Sequence, residues 1–150
     1  MPDWTIRRLA PGDEAGFAAM LDLFGAAFED PAAYRDHRPG PAWRSQLLAD
    51  PGFVALVAEQ SGTAIGALAA YLLRKFEQER REAYIYDLAV AEGARRRGIA
   101  TGLIEALKPV ARAAGAHVIF VQADREDDPA IALYARLGRR EEVFHFDIPV

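Results

Sequence analysis

Three consecutive arginines followed by a glycine form the most distinctive local pattern in the sequence. The segment consists of Arg95, Arg96, Arg97, Gly98, Ile99 and Ala100. It lies between a predicted strand and a predicted helix, where free backbone amides and the helix dipole attract anions and a glycine lets the backbone approach a ligand. The segment lacks both the Lys-Ser/Thr ending of a P-loop and the three glycines of a dinucleotide-binding turn. It predicts an anion-binding site, with a solvated basic turn as the alternative.

Acidic residues that could bind a cation are grouped at predicted strand ends and in one loop. Asp87 and Asp124 are predicted to end two adjacent strands. Carboxylates placed together in this way attract a polycation, and they are the first choices for such a site. Glu29, Asp30 and Asp36 lie in or beside a loop that could cover it, although solvated surface acids are the more common explanation for such residues.

The hydrophobic pattern predicts one α/β domain over residues 1–150, in which helices flank a mixed sheet. The predicted strands are 5–9, 53–59, 63–73, 83–90, 117–122 and 143–148. The predicted helices are 13–27, 42–49, 98–114 and 129–137, and residues 30–41 are predicted to form a loop. The turn 60–62 predicts that its flanking strands are antiparallel neighbours.

Three finer expectations concern individual residues and one short segment. Asp128 precedes Pro129, which predicts that Asp128 caps the last helix. Tyr84 and Tyr86 are expected to share a face opposite Asp87 and to pack in the core, because side chains alternate along a strand. The last residues, 144–150, alternate as a strand does and could pair between the subunits of a homodimer.

Composition excludes several classes of function. The chain has 150 residues, a formal net charge of −4, three histidines and no cysteine. Its length fits one domain, its charge argues against general nucleic-acid binding, and the lack of cysteine argues against a metal site. No apolar run is long enough to cross a membrane and the first residues lack a signal-peptide pattern, so a cytoplasmic protein is expected.

Two spaced segments resemble the signatures of the GNAT superfamily of N-acetyltransferases. Arg95, Gly98 and Ala100 resemble the pattern Arg/Gln-x-x-Gly-x-Gly/Ala, which binds the pyrophosphate of acetyl-CoA in that family. Residues 127–138 resemble Asn-x-x-Ala-x-x-x-Tyr-x-x-x-Gly, but Asp127 replaces the common Asn, so a contact by that amide is not carried over. The resemblance implies the GNAT fold, with a mostly antiparallel central sheet, and acetyl-CoA as co-substrate without a metal. The implied cofactor-binding residues are Leu88, Ala89, Val90, Arg95, Arg96, Arg97, Gly98, Ile99, Ala100, Thr101, Asp127, Ala130 and Tyr134.

Four further segments, 73–80, 84–90, 118–124 and 145–150, are similar to the aminoglycoside 3-N-acetyltransferases, the type I gentamicin acetyltransferases. This resemblance implies direct attack of the 3-amino group of an aminoglycoside on acetyl-CoA, which confers antibiotic resistance. The Val90 amide would then stabilise the oxyanion and Tyr134 would protonate the thiolate, while Asp87 would act through water or orient the amine.

Two other functions remain open at this stage. The acceptor could be a polyamine, which suits the acidic clusters equally well, or a protein α-amino group. The chain could also bind acyl-CoA as a regulatory module without turnover, although Tyr134 and the acidic strand ends disfavour that function. A thiol-release assay separates an enzyme from such a module.

Overall fold

A five-stranded mixed sheet with helices on both faces forms the domain. The computed structural model describes all residues from Met1 to Val150. The strands are β1 (Thr5–Arg8), β2 (Phe53–Gln60), β3 (Thr63–Arg74), β4 (Arg81–Val90) and β5 (Ala116–Val121). The helices are α1 (Glu14–Phe28), α2 (Pro41–Ala49), α3 (Ile99–Ala113) and α4 (Asp128–Leu137). The sheet order is β1-β2-β3-β4-β5, and every pair is antiparallel except the parallel pair β4 and β5.

The sheet has a hydrophobic core on each face. On one face, Leu68 and Ile85 pack with Leu103 of α3. On the other face, Phe17 and Phe24 of α1 pack over small side chains of the central strands. Burial on both faces explains why β2 and β3 read as nearly continuous apolar runs. The predicted α/β class and the β2–β3 hairpin are confirmed.

Two predicted boundaries need correction. The segment 30–41, predicted as a loop, contains a π-helical turn at Ala32–Asp36, because Pro31 has helical dihedral angles and Asp30 accepts a hydrogen bond from the Ala33 amide. The N-cap of α4 is Asp127 rather than Asp128. The side chain of Asp127 accepts a hydrogen bond from the Ala130 amide at 3.2 Å, and α4 begins one residue earlier than predicted.

The predicted strand at 143–148 is absent. Residues 139–150, here called the tail, follow α4 without regular secondary structure, and Phe144 and Phe146 are 81% and 79% exposed. The alternating apolar pattern of this segment would allow it to pair as a strand. A strand also needs the edge of another strand beside it, and no strand edge of this chain lies next to the tail. None of the helices is long and apolar enough to cross a bilayer.

Candidate active site

The arginine and glycine segment forms an open turn at the start of α3. Arg96 and Gly98 both have positive φ angles, +63° and +77°, and Gly98 is the N-cap residue of α3. No side chain caps this helix, so the backbone amides of its first turn are free to bind an anion. A Cβ atom built on Gly98 would meet no other atom within 4 Å, which shows that this side of the turn is open.

The three arginines of the turn have different partners. The Arg97 guanidinium donates to Asp3 Oδ1 at 2.5 Å and to Gln60 Oε1 at 3.2 Å, which ties the turn to the chain start and to the β2–β3 hairpin. Arg95 and Arg96 form no ion pair and are exposed. These two side chains are therefore available to a phosphate group, whereas Arg97 already has partners.

Strands β4 and β5 separate before β4 ends. Their last paired residues are Ile85 and Val121, whereas β4 continues to Val90 beside β3 alone. The Ala91 amide donates to the Ile65 carbonyl of β3 at 2.8 Å. Because ladder bonds alternate along an antiparallel strand, the Val90 amide points to the opposite side, where β5 has ended. The two strands therefore splay apart before Val90, which leaves this amide without a strand partner.

A β-bulge at Tyr86 overturns the expected facing of Asp87. Ala69 pairs with Asp87 and Ala70 pairs with Ile85, so Tyr86 is an extra residue on β4. Such an insertion reverses the alternation of the side chains that follow it. Asp87 consequently lies on the α1 face of the sheet, the same face as Tyr84, and it precedes the end of β4 by three residues.

The two tyrosines before Asp87 are not packed in the core. Tyr86 is 62% exposed and Tyr84 is half-buried. The Tyr84 hydroxyl donates to Gln122 Oε1 at 2.9 Å. The prediction of core packing failed because the sheet surface around these rings is left uncovered by α1, whose apolar residues contact the middle of the strands.

Tyr34 is a candidate site residue that the sequence did not reveal. Its hydroxyl donates to Asp87 Oδ2 at 2.8 Å, and its ring packs against Phe24 and Phe28 of α1. Burial raises the pKa of Asp87, and the hydrogen bond from Tyr34 opposes that rise. Burial and the neighbouring carboxylate also raise the pKa of Tyr34. The only available signal was an aromatic residue inside a proline-containing segment.

The acids of the predicted covering loop have separate surroundings. Glu29 ends α1 with a φ of +51° and lines a cavity of about 580 Å³ together with Val90 and Arg95. Asp30 accepts a hydrogen bond from the Ala33 amide of the π-helical turn, and Asp36 is exposed without a side-chain partner. Of these three residues, the structure brings only Glu29 to the end of β4.

Asp124 lies beyond the end of β5. The strand ends at Val121, and Asp124 is exposed in the connection to α4, where its carbonyl accepts the Asp127 amide at 3.1 Å. Its carboxylate has no hydrogen-bond or ion-pair partner and is free to bind a cation. Asp87 therefore lies inside β4 and Asp124 lies beyond the end of the neighbouring β5, so neither residue ends its strand as predicted.

Tyr134 lies on α4 and is partly buried against the α3-side core. Burial, with a smaller contribution from the negative charge of Asp127, raises the pKa of Tyr134 to about 12. Its hydroxyl is therefore protonated throughout the physiological pH range and can act as a hydrogen-bond donor.

Residues 17–138 match the profile of the acetyltransferase (GNAT) family. The chain belongs to the GNAT acetyltransferase family. The enzyme is therefore an acyl-CoA N-acetyltransferase, and the sheet, the open turn at Gly98 and the separated strands form its GNAT fold. No curated protein gives a significant match to this acetyltransferase.

Solved structures extend the comparison. The acetyltransferase is similar to an aminoglycoside acetyltransferase, HMB0005, from an uncultured soil metagenomic sample, with 55% identity, a TM-score of 0.96, and coverage of 100% of this chain and 99% of that one. It is also similar to the aminoglycoside acetyltransferase meta-AAC0020 from such a sample, solved with sisomicin, with 33% identity, a TM-score of 0.90, and coverage of 99% and 97%. AAC(6')-Iy, solved with a CoA bisubstrate analogue, shares the fold, with 16% identity, a TM-score of 0.77, and coverage of 99% and 100%.

Proposed function

We propose that this acetyltransferase transfers the acetyl group of acetyl-CoA to the 3-amino group of gentamicin-type aminoglycosides and thereby confers resistance. The observation that carries the proposal is the half-buried Asp87 carboxylate, held by Tyr34 three residues before the free Val90 amide. This places an anion for a cationic acceptor on the same strand as an amide that can bind a thioester oxygen, roughly 10 Å along the strand. The two relatives described as aminoglycoside acetyltransferases, and the sisomicin bound by one of them, support this acceptor class.

The donor is proposed to bind along the end of β4 and the start of α3. The free amides after Gly98, with Arg95 and Arg96, suit the pyrophosphate of acetyl-CoA, because they combine backbone donors with positive charge. The pantetheine arm would lie in the gap between β4 and β5, beside Leu88, Ala89 and Val90. Asp127 is assigned the capping of α4 rather than a pantetheine contact, because its carboxylate already accepts the Ala130 amide.

The proposed reaction has no covalent enzyme intermediate. The neutral amine nitrogen forms a bond to the thioester carbon, and the Val90 amide stabilises the negative oxygen that results. The amine then gives up a proton to a chain of ordered waters that leads to Asp87, the carbonyl re-forms, and the C–S bond breaks with its electron pair on sulfur. With a pKa of about 12 for Tyr134 against ~8.5 for a thiol, full proton transfer to the thiolate is uphill by ~5 kcal/mol. Tyr134 therefore stabilises the leaving sulfur chiefly as a hydrogen-bond donor, and solvent completes its protonation.

The acceptor would be attracted by the acidic residues on its side of the sheet. Asp87 is the proposed contact for the ammonium group nearest the reacting amine, and Asp124 and Glu29 are proposed as outer contacts. We assign neither Asp30 nor Asp36 to the acceptor site. Asp30 accepts the Ala33 amide of the π-helical turn, and Asp36 is exposed without a partner. We also propose a cytoplasmic location, since acetyl-CoA is supplied there.

Product analysis tests the acceptor and the position of transfer together. Thiol release is measured with gentamicin, with its 3-N-acetyl derivative as the blocked control, and with spermidine and an alanine-ending peptide as competing acceptors. We expect release with gentamicin alone and a single product acetylated at the 3-amino group by NMR. Transfer at another position would refute the regiochemistry, preference for spermidine or the peptide would refute the acceptor class, and acetyl-CoA binding without release would indicate a regulatory module.

We also propose that the enzyme is a homodimer in which the tail of one copy pairs with β5 of the other. β5 is an edge strand, and the tail exposes a second strand-like pattern that includes Phe144, Phe146 and Ile148. Each chain thus has both an unpaired strand edge, on β5, and an unpaired segment, the tail. In a two-fold dimer the tail of each copy would pair with β5 of the other. Phe146→Asp should reduce the mass by sedimentation to that of a monomer, whereas Phe76→Asp, at another exposed phenylalanine, should not. A monomeric wild-type enzyme would refute the arrangement.

A further inference from the structure

The α1 face of the sheet is arranged in rows of paired residues across the strands. Two rows consist mostly of small residues, and they are Val57, Ala67 and Ala89, followed by Ala55, Ala69 and Asp87. The third row consists of Phe53, Tyr71, Tyr84 and Phe120, one from each of β2, β3, β4 and β5. Each member is the direct backbone partner of the next, so their side chains share one face. We call this third row, together with the bulge residue Tyr86, the aromatic row.

The rings of the aromatic row form an unbroken chain of contacts. Centroid distances are 5.4 Å between Phe53 and Tyr71 and 5.8 Å between Tyr71 and Tyr86. The chain continues at 5.6 Å from Tyr86 to Tyr84 and at 4.6 Å from Tyr84 to Phe120, where the rings are stacked. These distances are typical of favourable aromatic pairs, so the rings hold one another in fixed orientations.

The middle of this ordered aromatic surface is open to solvent, whereas Phe53 at its β2 end is buried. Tyr86 is 62% exposed and Tyr71 is 37% exposed, although their neighbours on the same face lie beneath α1. The bulge contributes directly, because it adds Tyr86 to the aromatic row and turns Asp87 to the same face. An exposed set of preorganised rings beside a half-buried carboxylate is typical of a binding surface rather than of a core.

We propose that the aromatic row is the subsite that binds the sugar rings of the acceptor, with aminated sugar faces stacked on Tyr86 and Tyr71. This inference rests on the proposed function, since it names the surface on which the aminoglycoside lies. A strand rises ~3.3 Å per residue, so Tyr86 lies roughly 13 Å from Val90 and Asp87 roughly 10 Å. An acceptor whose reacting amine is at Val90 thus places an ammonium group at Asp87 and its further rings over the aromatic row.

Charge complementarity favours this occupant over an uncharged apolar partner. Ring faces attract ammonium groups and also contact the apolar C–H faces of sugars, while the adjacent Asp87 provides the counter-charge. The free carboxylate of Asp124 lies beyond the end of β5, the strand that carries the last ring of the row. An aminated oligosaccharide carries both ammonium groups and apolar C–H faces, and both are repeated along its length.

The proposal is tested with Tyr86→Leu, which keeps an apolar side chain but removes the ring face. Tyr86→Phe keeps the ring, and Phe76→Leu makes the same kind of change at a fully exposed phenylalanine without a ring neighbour. We measure sisomicin binding by calorimetry without acetyl-CoA, and then KM for sisomicin and for acetyl-CoA. Tyr86→Leu should weaken sisomicin binding and raise its KM by ~2- to 30-fold with acetyl-CoA unaffected, and both controls should resemble the wild type.

The outcomes separate this proposal from the proposed function. If the wild type acetylates aminoglycosides but Tyr86→Leu binds sisomicin as tightly as the wild type, the aromatic row is not the subsite and the function stands. If the wild type binds sisomicin through Tyr86 without acetylating it, the subsite stands and the function fails. Failure of the wild type to bind sisomicin would overturn the subsite. A change of oligomeric mass in Tyr86→Leu would also overturn it, because a second copy of the chain would then cover the aromatic row.

Discussion

Replacing Tyr34 by phenylalanine removes one hydroxyl group and leaves the aromatic packing of its ring in place. The hydroxyl donates to Asp87 Oδ2 at 2.8 Å and favours the ionised carboxylate. Burial acts in the opposite direction and raises the pKa of Asp87. Without the hydrogen bond only burial remains, so the pKa of Asp87 must rise further. A hydrogen bond to a charged group contributes ~1.5–3 kcal/mol, which corresponds to a displacement of ~1–2 pH units.

The pH dependence of kcat/KM for the acceptor reports this change. Protonation of the acceptor amine gives a limb of unit slope below its own pKa, and protonation of Asp87 adds a second unit of slope at lower pH. The pH at which the slope changes from one to two therefore follows Asp87, because the amine is the same in every variant. We expect this pH to increase by ~1–2 units in Tyr34→Phe, with activity at high pH nearly retained.

The matched control is Tyr84→Phe, which loses a hydroxyl bonded to the neutral Gln122 instead of a carboxylate. Tyr71 of β3 and Tyr84 of β4 also lie near enough to interact with the charge of Asp87, but neither donates a hydrogen bond to it, and Tyr71 is kept in both variants. The pH at which the slope changes from one to two should be the same in Tyr84→Phe as in the wild type. If this pH is unchanged in Tyr34→Phe, or moves to a lower value, the role assigned to Asp87 and Tyr34 is refuted.

The remaining predictions concern the donor site, the leaving group and the outer acid. Gly98→Val should raise the KM for acetyl-CoA severalfold or more, because a branched residue is strained at a φ of +77° and its side chain obstructs the approach to the free amides; unchanged acetyl-CoA kinetics in a folded variant would contradict this. Tyr134→Phe should lower kcat by ~10- to 10²-fold with little change in the acetyl-CoA Kd, because the leaving sulfur loses a hydrogen-bond donor, and a full rate would make the residue structural. Asp124→Asn should raise the acceptor KM at low salt, and its difference from the wild type should shrink at ~0.5 M NaCl, whereas equal salt sensitivity would remove Asp124 from the acceptor site.

Much of the fold could be predicted because local sequence and tertiary context agree. The open turn before α3 depends on Gly98 and on its position between a strand and a helix, and both are visible in the sequence. The β2–β3 hairpin was equally clear, since Ser61 and Gly62 supply the two positive φ angles of its turn. In such places the local pattern determines the structure without help from distant residues.

The errors arose where a distant partner decides the structure. The bulge at Tyr86 depends on pairing between β4 and β3, and nothing in the strand alone marks the extra residue. The contact between Tyr34 and Asp87 joins residues 53 positions apart. The tail has the alternation of a strand, but its partner edge is not supplied by its own chain. Sequence periodicity therefore identified the elements, whereas their pairing determined the site.

The bulge and the Tyr34 hydrogen bond depend on each other physically. Without the extra residue, Asp87 would face α3, where Leu68 and Leu103 are fully buried, and a carboxylate there would lack a partner. Burial of an unpaired charge is costly enough that the group would become neutral or the strand would shift its register. With the bulge, the carboxylate reaches Tyr34 and remains near solvent and the aromatic row. The Val90 amide faces the gap beyond the end of β5, so the residue added to β4 places the acid and the rings on one face, with the proposed oxyanion donor at the strand end.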